Sequence, residues 1–301
     1  MNAIKRIAIN MEGFAFSAIA FFSPKVASKI RYKQIIKEKC DLKNPARFNE
    51  RLMVLKLGQY YDNDLITECC DKLEVRKYVR ECGCESILNE LYFECDDPEQ
   101  IPWDTLPDKY VIKCNHGCDY NIICTDSKKL DKESAINQLR KWMKEKYWLK
   151  AAETNYKFIK PRIIVEKYIE TNAGKFPIDY RFYCTKGEVK TCLLMHYSDE
   201  NYEHHNSYHI YVDENYMPLD IGQSLEESDQ LPEKPKNYQE MWNYAKILSK
   251  PFPFVRVDLY SCDGKTIFGE LTFSPCGCTG LYNISSKLDE MFKKIDSEKM
   301  G

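Results

Sequence analysis

The segment Phe254-Val-Arg-Val-Asp-Leu-Tyr260 alternates strictly, so on a β-strand Val255, Val257 and Leu259 point to one side while Arg256 and Asp258 share the other. After Cys262-Asp-Gly-Lys265, the run Ile267-Phe-Gly-Glu-Leu-Thr-Phe273 does the same, setting Glu270 and Thr272 against Gly269, Leu271 and Phe273. Two carboxylates on adjacent strands are hard oxygen donors of the kind Mg2+ takes, one or two per ion, with water and phosphate supplying the rest. The competing reading is an amphipathic hairpin whose polar face meets solvent, because alternation marks any half-exposed sheet. Parity separates the two. Directly opposed residues of an antiparallel pair lie on one face, so Asp258 opposite Glu270 requires an odd-numbered loop centred on Gly264, or a bulge. A plain two-residue Asp-Gly turn would oppose Glu270 to Val257 and dissolve the site.

These strands need a framework. Val111 to Cys114 reads as a short apolar strand that presents Lys113 and then breaks into the polar loop Asn115-His-Gly-Cys-Asp119. Asn121 to Cys124 returns as a strand, and Asp131 caps a helix carrying Ile136, Leu139, Met143 and Tyr147 on one face. Arg162 to Ile169 is a further strand, and Tyr180 to Cys184 with Val189 to Met195 forms a hairpin about Lys186-Gly187, where glycine supplies positive φ. Upstream, Asn44-Pro45 predicts an N-cap and first-turn proline before Phe48, Leu52 and Leu55 at helical spacing. Asp71 with Glu74 opens a second helix, whose stripe is Val75, Tyr78, Val79 and Cys82. Residues 199–236, rich in Asn, Glu, Tyr and Pro, read as a long excursion. Its His204, His205 and His209 lack clean ligand spacing and fit a solvated loop better than a metal site.

The 301 residues, 44% of them hydrophobic, can bury a sizeable core, and 44 basic against 46 acidic residues leave a formal charge of -2. Such a balance gives no electrostatic sign of a nucleic-acid partner and favours a small-molecule site. Fourteen scattered cysteines, without a double C-x-x-C spacing or a cleavable signal peptide, read as reduced cytosolic thiols used for packing rather than zinc ligands. Cys276 and Cys278, beside Gly277 and Gly280, read as a glycine-bearing turn, since no base can be paired with either thiol. The apolar run Gly13 to Phe22 is half the ~20 residues a membrane span needs. Lys5 and Arg6 before it, and Lys25, Lys29 and Arg31 after it, suit a helix lying on an anionic membrane surface; a helix packed on the body of the fold is the equal alternative.

Taken in order, VIKCNHGCDYNII, IIVEKYI, DYRFYCTKGEVK, FVRVDLY and FGELTFSP resemble an ATP-grasp ligase. More narrowly they look like the TupA-like branch, named for teichuronopeptide biosynthesis and common among bacterial polysaccharide loci. NPARFNERLMVLKL and DKLEVRKYV are similar to that branch too, so the resemblance runs from about residue 40 to 285. It implies an α+β, ATP-grasp fold: two α+β subdomains clamping ATP, preceded by a helix-rich α/β N-terminal region. On this chain that gives an N-terminal helix over 1–38, a lead-in over 39–108, a small subdomain over 109–170 and a large subdomain with the metal site over 171–301.

The resemblance also implies roles. Lys113 would hold the nucleotide phosphates, with His116 and Gly117 in the loop closing over them, a compact point charge beside amides that glycine lets approach. Glu166 and the backbone of Lys167, Tyr168 and Ile169 would bind adenine, and Asp179 the ribose hydroxyls. Asp258 and Glu270 would bind Mg2+, with Thr272 standing where many members have asparagine. Arg256 beside them would stabilise charge on a transferring phosphoryl group or tetrahedral intermediate. After His-Gly the family loop usually carries a small residue and glycine; here Cys118-Asp119 follows.

The implied activity is ATP- and Mg-dependent carboxylate-amine ligation through an acyl phosphate. It would join an amino acid or amine to a uronic acid or related carboxylate in cell-surface polysaccharide biosynthesis, in the bacterial cytoplasm or at the inner membrane surface. Two other readings stay open. A glycosyltransferase of such a locus would need a carboxylate pair with a Rossmann-like glycine turn, and neither Asp213-Glu214 nor Asp96-Asp97 has that context. A nucleotide-binding scaffold is raised by Asp119 and Thr272. Lys72, Arg76 and Arg181 are further cations for carboxylate or phosphate, or else solvated charges.

Overall fold

Helix-forming sequence crowds the start of the chain: α1 (Ala3–Phe22), α2 (Pro24–Ile36), α3 (Phe48–Leu57), α4 (Asp64–Cys70) and α5 (Val75–Glu81) all precede the first strand. The computed structural model describes residues 3–170, 177–196, 208–221, 231–281 and 285–295. α3 begins three residues later than Asn44-Pro45 predicts. The Glu50 carboxylate accepts hydrogen bonds from the Ala46 and Arg47 amides (3.0 and 3.1 Å), fixing that turn ahead of the helix. Asp71 likewise closes a turn of its own, accepting from Leu73 N (2.8 Å) and Glu74 N (3.3 Å), and α5 starts only at Val75. Val75, Tyr78 and Val79 are buried as their stripe requires, whereas Cys82 follows the helix end and is half-buried.

The strands and later helices follow as β1 (Leu91–Cys95), β2 (Tyr110–Cys114), β3 (Asn121–Cys124), α6 (Lys132–Lys144), β4 (Ile163–Lys167), β5 (Asp179–Thr185), β6 (Glu188–His196), β7 (Tyr208–Val212), α7 (Tyr238–Leu248), β8 (Val255–Cys262), β9 (Lys265–Thr272) and α8 (Ser286–Met291). Their pairings build a four-stranded sheet in the order β1-β4-β2-β3 and a five-stranded sheet in the order β7-β6-β5-β8-β9, every pair antiparallel. Asp131 caps α6 by accepting from Ser134 N at 3.0 Å, but Tyr147 lies past its end in a 3-10 turn. The excursion read over 199–236 contains β7, which pairs with β6 and holds His209; His204 and His205 lie outside the described residues.

The chain divides into two compact units: Met1–Thr67 with Lys146–Phe158 and Phe273–Gly301, and Glu68–Glu145 with Ile159–Thr272. The stretch assigned to a lead-in, 39–108, is therefore shared between them, and its β1 is the edge strand beside β4. In the first unit Phe48 stacks on Phe292 (centroids 4.3 Å apart) and Tyr60 meets Phe273 edge-on. In the second, α7 buries Tyr238 and Trp242 against Phe182 of β5, sealing one face of the five-stranded sheet. Helices and two antiparallel sheets make this an α+β chain. None of the fourteen cysteines is held in a disulfide.

Candidate active site

The β8–β9 hairpin resolves the parity question through a bulge. Its turn is the two-residue Asp263-Gly264, both at positive φ (51° and 77°), and Cys262 pairs with Lys265. Pairing stays regular as far as Leu259 with Phe268, then shifts by one residue, so that Asp258 faces Glu270 and Arg256 faces Thr272. Gly269 is the extra residue. A Cβ there would lie 2.9 Å from the Asp258 carbonyl oxygen and 3.0 Å from the Tyr260 ring, closer than real side chains pack. Glycine at 269 therefore lets the strand slip and puts both carboxylates on one face.

That face is cationic and acidic together. Arg256, 5% exposed, donates to Asp258 through Nε (2.7 Å to Oδ1) and Nη2 (2.5 Å to Oδ2). The same Nη2 reaches Thr272 Oγ1 at 3.0 Å and Glu270 Oε1 at 3.5 Å, while Thr272 donates to Glu270 Oε1 at 2.9 Å. Lys72, from the turn before α5, approaches Glu270 Oε2 at 3.6 Å and donates to the Gly117 carbonyl at 2.8 Å. Arg181 of β5 donates to Asp179 at 2.8 Å and lies 4.0 Å from Asp258. Burial pushes Asp258 up to about 6 despite Arg256 and Arg181. Burial would raise Glu270 too, but Lys72 and Arg256 outweigh it and hold Glu270 down at about 2.

The four-stranded sheet carries a second cluster. Val111 opposes Glu166 in the β2–β4 pairing, so Lys113 and Glu166 share a face, and Lys113 Nζ donates to Glu166 Oε2 at 2.7 Å. Arg76 of α5 donates to the other oxygen at 3.2 Å and to the Asn89 carbonyl at 2.8 Å. The loop after β2 is pinned by Asn115, fully buried. Its Nδ2 donates to Asp71 (2.8 Å) and the Lys160 carbonyl (3.0 Å), its Oδ1 accepts from Arg162 N (2.6 Å), and its carbonyl accepts from Lys72 N (3.2 Å). Asn115 thus fixes Lys72 and the Gly117 loop to one another.

Of the residues singled out in the sequence, the structure gathers Arg256, Asp258, Glu270, Thr272 and Asp179 on the five-stranded sheet and Lys113 with Glu166 on the four-stranded one. Lys72 links the second cluster's glycine loop to Glu270. His116 goes elsewhere: its ring is buried, with Nε2 3.1 Å from the Trp142 carbonyl of α6, and burial lowers its pKa. Tyr168 and Ile169 lie just past β4, and the Lys167 carbonyl accepts from Asn89 Nδ2 at 2.8 Å. From the sequence alone Lys72 and Arg76 are cations without an assigned partner. A usable signal was the placing of each next to a residue with a buried role, Asp71 and Val75.

Among the described residues no three His, Cys, Asp or Glu side chains come together as a metal cage. Asp258, Glu270 and Thr272 instead offer hard oxygens only, two of them anionic carboxylates already matched by guanidinium and ammonium groups. That donor set fits a Mg2+ ion held partly by phosphate and water.

A family model, TupA-like ATPgrasp, matches residues 50–294. The chain belongs to the TupA-like ATP-grasp family. No curated protein matches it. Among solved structures it is similar to the ATP-grasp ligase PsnB complexed with its minimal precursor (12% identity, 74% of this chain and 57% of that one, TM-score 0.39). It is also similar to the D-alanine–D-alanine ligase from Bacillus anthracis complexed with ATP (16%, 77% and 65%, TM-score 0.45). A third is the L-amino acid ligase from Bacillus licheniformis (13%, 83% and 55%, TM-score 0.46). This TupA-like chain spans less than two thirds of the length of each.

Proposed function

We propose that this TupA-like protein is an ATP- and Mg-dependent ligase that joins a carboxylate to an amine through an acyl phosphate. The observation that supports the reading most is the linked pair of clusters: Lys113 with Glu166 on one sheet, Asp258 with Glu270 on the other, and Lys72 touching both the glycine loop and Glu270. Phosphoryl transfer asks for positioning and charge neutralisation more than for a protein nucleophile.

In this reading Lys113 and Lys72 bind the triphosphate, Glu166 orients Lys113 and sits at the adenine end, and Asp179 takes the ribose hydroxyls. Mg2+, held by Asp258 and Glu270 with the Thr272 hydroxyl, would neutralise phosphate charge. A substrate carboxylate oxygen attacks the γ-phosphorus as the bond to the ADP oxygen breaks. The amine nitrogen then attacks the acyl carbon, phosphate leaves and the nitrogen loses a proton. Arg256 lies on the face where the charge of both steps develops and stabilises it. The carboxylate is a uronic acid or similar sugar acid, the amine an amino acid or simple amine, and the setting is bacterial cell-surface polysaccharide biosynthesis, in the cytoplasm beside the inner membrane.

Hydroxylamine trapping tests this directly. With Mg-ATP and a panel of uronic acids, hydroxylamine should yield a hydroxamate and ADP in equal amounts, and Asp258→Asn should abolish both. Sugar transfer from a nucleotide sugar, without ATP consumption, would establish the glycosyltransferase reading instead. Nucleotide binding with no turnover on any pair would establish the scaffold.

A further inference from the structure

We propose that α1 and the start of α2 form a docking surface for an anionic lipid bilayer, with α1 lying in the interface plane. The proposal names the contact face behind the membrane-side setting given above, and its test does not use the ligase reaction. A surface helix ordinarily turns its apolar stripe inward and its polar face to water. α1 does not. Its inner face, Phe16 and Ala20, packs with Ala27, Leu149 and Ala152. Its outer face is apolar as well: Phe14 is 79% exposed, Phe21 53% and Phe22 84%, and Val26 at the start of α2 is 49% exposed. Phe14, Ala18, Phe21 and Phe22 follow helical spacing.

Charge selects the occupant. Residues 1–37 hold seven basic residues and one acidic one, Glu12, in a chain whose formal net charge is -2. Lys25, Lys29 and Lys33 recur every four residues along α2 and are exposed, and Lys146 sits 5.6 Å from the centroid of the Phe21 ring. Exposed aromatic side chains on α1 with exposed lysines along the adjoining α2 match the boundary between acyl chains and anionic headgroups. A second copy of the chain fits poorly, because a two-fold contact through this face would set the same basic rim against itself. No helix among the described residues is long and apolar enough to cross a membrane.

Flotation of the full chain with vesicles of phosphatidylcholine alone, or with about one third phosphatidylglycerol, tests the proposal. Expected is binding to the anionic vesicles at least about tenfold tighter than to the neutral ones, weakened by 0.5 M salt. Phe14→Ser with Phe22→Ser should abolish binding, and Lys25→Glu with Lys29→Glu should remove the preference for anionic lipid. All four side chains project outward, so the variants should melt as the wild type does. No binding to either vesicle would overturn the proposal. So would a dimer in gel filtration that the double serine variant dissolves, since a second copy would then cover the face.

Discussion

Two buried charge clusters in this molecule use the same residue types to opposite ends. In the first unit, Lys56 is 1% exposed and donates to the carbonyls of Ala151 and Gly277, both at 3.3 Å. Nearby Glu153, 6% exposed, accepts from Ser274 (2.9 Å) and Tyr147 (3.3 Å). Burial lowers the pKa of Lys56 and raises that of Glu153, and Gly277 lies so close that a Cβ would be 2.9 Å from that of Ala151. In the second unit, the Lys72 and Glu270 side chains keep 15% and 30% exposure, Lys113 keeps 26% and donates to Glu166, and Lys72 lies 3.6 Å from Glu270 while donating to the Gly117 carbonyl. The closed cluster spends its hydrogen bonds on holding chain segments together. The open one leaves charged groups exposed to solvent, as the proposed catalysis by charge neutralisation would require.

The largest effect is expected in the open cluster: Asp258→Asn and Lys72→Ala should each lower ATP-dependent turnover by roughly a thousandfold, as loss of a preorganised electrostatic group does; Lys72→Ala should keep a denaturation midpoint close to wild type, whereas Asp258→Asn should also cost about 3 kcal/mol by weakening the hold on the buried Arg256 guanidinium. Lys56→Met should do the reverse, costing about 3 kcal/mol in urea unfolding by stranding a buried carboxyl group, while turnover per folded molecule stays near wild type. Glu153→Gln should cost only about 1 kcal/mol, because the amide oxygen still accepts from one hydroxyl while its NH2 must donate to the other, Ser274 or Tyr147. If Lys56→Met abolished turnover in a fully folded protein, the closed cluster would not be merely structural.

Gly269→Ala probes what aligns the open cluster. A Cβ at 2.9 Å from a backbone oxygen forces the strand to shift, so about 1–3 kcal/mol of stability and most of the turnover should go together. Gly264→Ala, at φ 77° with nothing within 4 Å, should cost about 1 kcal/mol and spare turnover. The smallest effect is chemical. At pH 8, Cys276, exposed, should react with a thiol reagent well before Cys114 and Cys278, whose pKa values burial pushes up to about 12, leaving little thiolate.

Local chemistry in the sequence was enough to find β8 and β9, because alternation and an Asp-Gly turn are short-range signals. The bulge was one of two solutions that parity allowed, and the glycine that chooses it stood within the strand. The three-residue loop did not form. Lys72 and Arg76 lie 198 and 90 residues from the carboxylates they meet, Glu270 and Glu166, and no local pattern records a contact of that range. β1 and β7 are hidden in the sequence for a related reason: each is a five-residue edge strand inside a stretch dominated by other signals, helical for β1 and polar for β7. At Asn115-His-Gly the motif was legible but not the direction of its side chains, since α6 draws the His116 ring away.

If the open cluster binds Mg-ATP, thermal unfolding with and without nucleotide will report it. At about a hundred times its dissociation constant, Mg-ATP should stabilise the wild type by roughly 2.7 kcal/mol. That shift should need Mg2+ and should vanish in Lys113→Ala, while Lys56→Met, starting from a lower midpoint, keeps it in full. An ATP shift that survives Lys113→Ala unchanged, or one given by nucleotide sugars and not by ATP, would contradict the account.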